Sequence, residues 1–142
     1  MSVADDASRG ASRVPPRTAW EHDAVGRILL AAGDLAEAEA AFERAIALRP
    51  QELWSNFHLG VCAFRRGHYN DAVSAFRICV ALAPDRAECF YNRALAYDAL
   101  SDSAEAARDY GRAFAVDPTL AAARLDCGVP HRSMAPTPEL VP

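Results

Sequence analysis

The sequence predicts an all-α fold, an α-solenoid of three helix–turn–helix hairpins closed by a short C-terminal helix. Three observations point to it. Alanine, the strongest helix former, supplies thirty-one of the 142 residues, while β-branched residues are scarce. The chain also aligns with itself, without gaps, at an offset of 34 residues. Capping pairs and turn glycines mark several of the helix starts and ends.

The aligned units are "HDAVGRILLAAGDLAEAEAAFERAIALRP", "NFHLGVCAFRRGHYNDAVSAFRICVALAP" and "FYNRALAYDALSDSAEAARDYGRAFAVDP". Gly26, Gly60 and Ala94 share a column, as do Ala38, Ala72 and Ala106. So do Phe42, Phe76 and Tyr110, then Ala45, Cys79 and Ala113, and finally Pro50, Pro84 and Pro118. Small residues at the first two columns let two antiparallel helices approach closely. The aromatic one turn further along the second helix fills the groove between them.

The first unit, 19–52, opens on Thr18 and Glu21, which have the spacing of a capping box. Its turn is Gly33-Asp34, with Asp34 and Glu37 spaced to cap the second helix. The second unit, 53–86, turns at Gly67-His68. Glycine suits the left-handed residue that ends a helix. Asp85 with Glu88 predicts the start of the third unit, 87–120, and Asp102 with Glu105 the start of its second helix. Each closing proline ends a unit and tolerates the first turn of the next helix.

A 34-residue unit with small, small, aromatic, small and proline residues in these columns resembles the tetratricopeptide repeat. The resemblance covers about residues 19–120. The third unit departs from the pattern: "SDS" at 101–103 replaces the expected turn glycine and bulky residue, and Arg93 stands where the others have Val25 and Leu59. That unit is expected to be the least well packed.

Composition limits function. The formal charge is −4, the hydrophobic content is 51%, and the fifteen basic residues are all arginine. Without lysine there is neither a Schiff-base lysine nor a P-loop. The mild acidity argues against a nucleic-acid partner, which needs clustered positive charge. No apolar stretch reaches the roughly 20 residues that cross a bilayer, so no membrane partner is expected. The start "MSVADDASRGASRVPPR" lacks the apolar core of a secretory signal. Four cysteines without paired short spacings fit reduced thiols. A cytoplasmic location is expected, and the alanine- and arginine-rich composition points to a GC-rich bacterial genome.

His58 and Cys62 stand one helical turn apart, a spacing that could ligate a metal or pair a nucleophile with a base. Both fall on the first helix of the middle hairpin without a recurring polar partner, so they are read as packing. Cys127 and His131 cannot fill the four positions of a structural zinc site. No Gly-rich phosphate loop, GxSxG or HExxH occurs. The carboxylates read as caps or solvated faces. No catalysis, cofactor or metal is expected.

In the resembled family the first helix of each hairpin lines an inner groove that holds a peptide or helix. Projecting the helical period gives Trp20, Asp23, Ala24, Arg27 and Leu30 from the first hairpin. The second contributes Trp54, Phe57, His58, Val61 and Arg65, and the third Glu88, Tyr91, Asn92, Leu95 and Asp98. The expected binding residues are Trp20, Arg27, Trp54, Phe57, His58, Arg65, Tyr91, Asn92 and Leu95, since aromatics and arginine dominate binding hot spots. Family members that grip a C-terminal carboxylate use basic residues and asparagine here. Asp23 and Glu88 would repel a carboxylate, so a mixed aromatic and polar groove is the expectation.

Residues 1–18 are expected to be disordered, 121–127 to form a short helix covering Phe114 and Val116, and 128–142 to be a proline-rich tail. The predicted function is a non-catalytic scaffold with a protein or peptide partner. The alternatives are homo-oligomerisation through the open C-terminal end, or a repeat region excerpted from a larger enzyme such as a kinase or transferase.

Overall fold

A computed structural model of the chain describes residues 18–121. Among the described residues the elements are all helical: α1 Ala19–Ala32, α2 Leu35–Leu48, α3 Leu53–Arg65, α4 Tyr69–Leu82, α5 Ala87–Ala99 and α6 Ser103–Val116. They pack as three antiparallel pairs, α1 with α2, α3 with α4 and α5 with α6, stacked so that α2 meets α3 and α4 meets α5. This is the predicted hairpin solenoid. The expectations for the N-terminal segment before Thr18, for the capping helix beyond Ala121 and for the tail lie outside the described residues. Residues 119–121 are helical, and Leu120 packs against the core.

Helix starts follow the capping residues unevenly. The Thr18 hydroxyl accepts from the Glu21 amide at 3.1 Å, and the Glu21 carboxylate accepts from the Thr18 amide at 3.0 Å, completing the box. Asp102 accepts from the Glu105 amide at 3.5 Å. Asp34 is the N-cap of α2 but its side chain makes no capping bond. The Asp85–Glu88 box is corrected: α5 begins at Ala87 with Arg86 as N-cap, so Asp85 lies one residue too early. At the turns Gly33 and Gly67 take φ of 87° and 81°, the left-handed region that glycine enters without strain. In the third hairpin Ser101 takes this position, at φ 62°.

The close approach within a hairpin is real at Gly60. A Cβ there would lie 2.6 Å from Phe76 Cε1, and one at Gly26 would lie 2.6 Å from the matching Phe42 atom. Both rings are completely buried. The buried core then runs from α3 to α6 through Phe57, Val61, Phe76, Tyr91 and Tyr110.

Arg93 does not loosen the third hairpin, as the sequence had implied. Its guanidinium donates to both carboxylate oxygens of Asp109, at 2.6 and 2.8 Å. It also lies over the rings of Phe90 and Tyr97, at 5.9 and 6.0 Å. Asp109 is 3% exposed. In the first two units the same two columns hold Val25 with Ala41 and Leu59 with Ala75. An ion pair therefore replaces an apolar–small pair, and the paired charges satisfy each other where either alone would be stranded. Hydrogen bonding to Asp109 raises the Arg93 pKa against the opposing effect of burial.

Cys62 and Cys79 are fully buried, as a packing role requires. Burial, with Glu39 nearby, pushes the Cys62 thiol up to about 12. The Cys79 thiol is raised by its contact with the Cys89 thiol and by burial.

Candidate functional site

The stacking of the first two hairpins leaves a cavity of about 890 Å³ between α1 and α3. α1 lines it with Trp20, Asp23, Arg27 and Leu30, and α3 with Trp54, Phe57, His58 and Arg65. Arg49 and Glu52, from the connection between α2 and α3, close one side. Helical spacing brings each set to one face.

The walls are aromatic. Trp20 is 72% exposed. Trp54 meets Phe57 edge-on at 5.4 Å, and the Arg86 guanidinium lies over the Trp54 ring at 5.0 Å. His58 stacks on Phe42 of α2 at 5.3 Å, which fixes its plane. Its Nδ1 is buried and has no hydrogen-bond partner among the described residues.

The polar centre is Asp23. Its carboxylate accepts from the Ser55 hydroxyl at 2.9 Å and from Arg27 Nε at 3.0 Å. His58 Nδ1 stands 3.9 Å from it. Burial alone would raise the Asp23 pKa. The nearby His58, Ser55 and Arg27 groups outweigh burial and hold it below the usual carboxylate range. Asp23 thus ties α1 to α3 as an ionised group. Arg27 lines the cavity with its side chain half exposed, and its guanidinium has donors beyond the Nε given to Asp23.

Six of the expected binding residues therefore meet in one place: Trp20, Arg27, Trp54, Phe57, His58 and Arg65. The other three do not line this cavity. Tyr91 is 6% exposed, Leu95 7% and Asn92 not at all. Tyr91 packs edge-on against Tyr110 at 5.6 Å and beside Phe114 at 6.4 Å, so its ring belongs to the core of the third hairpin. The Asn92 amide has no hydrogen-bond partner among the described residues. Arg49, Glu52 and Ser55 were missed by sequence reasoning. Arg49 and Glu52 flank Pro50 in a connection to which no helical period applies, while Ser55 is revealed only by its bond to Asp23. Among the described residues no group of three His, Cys, Asp or Glu side chains could hold a metal ion, and no helix is long and apolar enough to cross a membrane.

The architecture defines a tandem helix-hairpin protein with a concave aromatic cavity. Tetratricopeptide-repeat family models match residues 24–87 and 87–120, and the chain belongs to that family. Solved structures share its fold. YrrB, a TPR protein with an unusual peptide-binding site, superposes with a TM-score of 0.76 at 21% identity, over 89% of this chain and 65% of YrrB. The first TPR domain of Spaghetti (RPAP3), bound to the HSP90 peptide SRMEEVD, gives 0.70 at 23% identity, over 74% of this chain and 83% of that one. MamA gives 0.69 at 21% identity, over 73% of this chain and 61% of MamA. No curated protein sequence matches the chain.

Proposed function

We propose that the chain is a non-catalytic interaction scaffold that binds an extended peptide or a partner helix in the cavity between α1 and α3. The single observation behind this reading is the cavity itself. It has the volume of a ligand site and is walled by Trp20, Trp54 and Phe57, with Arg27 and Arg65 at hand. The exposed Trp20 and the half-buried Trp54, beside arginine, are of the residue types that supply hot-spot energy. The partly buried Asp23 carboxylate accepts from the Ser55 hydroxyl and from Arg27, and so is engaged in joining α1 to α3. The complex of the RPAP3 domain with an HSP90 peptide, and the peptide-binding site of YrrB, support a peptide as the ligand class.

The test is a selection of displayed peptides on the wild-type chain, counter-selected on a Trp20→Ala, Trp54→Ala variant. A convergent motif is expected. Because these are the two tryptophans of the chain, intrinsic fluorescence reports the binding directly. A hot-spot aromatic contributes about 2 kcal/mol, so each truncation should weaken the selected peptide roughly 30-fold. Equal affinity for wild type and variant, with the variant's helical content intact, would place the ligand elsewhere.

A second reading, self-association through the C-terminal end, rests on Val116, which is 47% exposed on α6. Light scattering over a concentration series decides it: a strict monomer discards self-association.

A further inference from the structure

The cavity between α1 and α3 does not end at Leu30. A second cavity, of about 520 Å³, shares Leu30, Ala31 and Arg65 with it and continues to Gly33, Leu35 and Tyr69 at the turn ends of the first two hairpins. Together they form one trough. It runs lengthwise between the two helices, from Trp20 at the start of α1 to Gly33 just past its end. At 1.5 Å per residue that is a length of about 20 Å.

The trough has the shape of a bed for a helix. α2 packs against both α1 and α3, while those two touch each other only weakly. Between its ends the trough is therefore walled by α1 and α3 alone, two helices that run in the same direction from hairpin entry to turn. Among the described residues no asparagine or glutamine lines it. An extended chain would find few partners there for its own N–H and C=O groups. A helix satisfies those groups internally and needs only side-chain contacts.

Charge selects the kind of helix. Arg27, Arg49 and Arg65 line the trough against Asp23 and Glu52, and Asp23 is already engaged by Ser55 and Arg27. The remaining balance is positive. Arg65 stands at the level of Ala31, one helical turn past Arg27. At the other end Trp20 and Trp54, each the second residue of its helix, face the same stretch of the cavity with Phe57 beyond them.

We propose that the occupant of this trough is an acidic amphipathic helix of about 13 residues lying lengthwise between α1 and α3. Two carboxylates one turn apart meet Arg27 and Arg65, and its apolar face covers Trp20, Trp54 and Phe57. Lying antiparallel to α1, it carries the carboxylates in its first turns, where its own dipole favours them. This rests on the cavity's being a peptide site, as proposed above, and narrows the ligand to one class of partner.

The test uses the whole chain and two synthetic peptides. The first is an alanine-based helix of about 14 residues, cross-linked on its far face, with two glutamates one turn apart in its first turns and leucines beyond them on the same face. The second has a central D-proline in place of the cross-link, so that no helix forms. Binding is read from the fluorescence of Trp20 and Trp54, the two tryptophans of the chain. The cross-linked helix is expected to bind at least about 10-fold more tightly than the interrupted peptide. Changing both its glutamates to glutamine should weaken it roughly 10- to 100-fold. That difference should shrink in an Arg65→Gln protein and vanish when Arg27→Gln is added. Arg65→Gln alone leaves the bonds of Asp23 in place, so it decides the matter even if the double variant unfolds.

Equal binding of the interrupted peptide would make the ligand extended and overturn the proposal, with the cavity still a peptide site. Equal binding of the glutamate and glutamine helices would overturn it too, by removing the charge pairing. Binding of neither peptide, while displayed linear peptides still converge on the cavity, likewise refutes the helix and spares the site. Failure of that selection as well would sink both.

Discussion

Gly60→Ala separates two physical effects of opposite sign. On helix propensity alone the change stabilises α3, by about 1 kcal/mol. The packing says otherwise. The new Cβ would lie 2.6, 2.7 and 2.9 Å from three ring atoms of Phe76. Carbon contacts are optimal near 3.5–4.0 Å, so the ring must retreat by about 1 Å. Phe76 is fully buried and meets Phe57 edge-on at 5.9 Å, which leaves it no free direction. Overpacking of this kind costs about 2–3 kcal/mol. The net expectation is a destabilisation of about 1–2 kcal/mol, or roughly 3–6 °C in Tm for a chain of this size. Urea and thermal unfolding followed by far-UV circular dichroism would measure it. Combining the change with Phe76→Leu should recover part of the loss, because the two act on one contact. A Gly60→Ala protein more stable than wild type would refute the close approach of α3 and α4 as the reason for glycine.

Two further outcomes follow from the charged groups. Arg93→Leu should destabilise by about 3–5 kcal/mol by leaving Asp109 buried and unpaired, and adding Asp109→Ala should restore most of it by recreating the Leu59–Ala75 pair of the middle repeat. Urea midpoints of both variants check this, and equal losses in single and double variants would count against it. The depressed pKa of Asp23 contributes stability that is fully present above the unfolded value of about 3.9 and is lost as pH falls through the lower folded value. Asp23→Asn should therefore be less stable than wild type at neutral pH, with the gap closing below about pH 4. Unfolding midpoints at several pH values test it, and a pH-independent gap would mean that the carboxylate's ionisation is not what joins α1 to α3.

Much of the fold is local and was legible. The recurrence of Gly26 and Gly60 with Phe42 and Phe76 states a steric relation within one hairpin, and the structure shows that relation at 2.6 Å. Left-handed turn residues were placed correctly where glycine marks them. The site was legible in part: Trp20, Arg27, Trp54, Phe57, His58 and Arg65 meet because helical spacing alone selects the concave face. Arg93 was misjudged because its partner lies 16 residues away on another helix, and charge in a core column reads as a defect until that partner is known.

The sequence by itself determined the repeat unit, the number of described hairpins and the side of each first helix that turns inward, because these follow from a 34-residue period and a helical one. Tertiary structure alone decided which inward residues remain open. Trp20, Trp54 and Glu88 share a column, as do Ala24, His58 and Asn92, yet the cavity forms on α1 and α3 while Tyr91, Asn92 and Leu95 of α5 are buried. Column identity records how a residue points within its own hairpin. Exposure depends on the side chains that neighbouring hairpins bring against it, which no local period encodes.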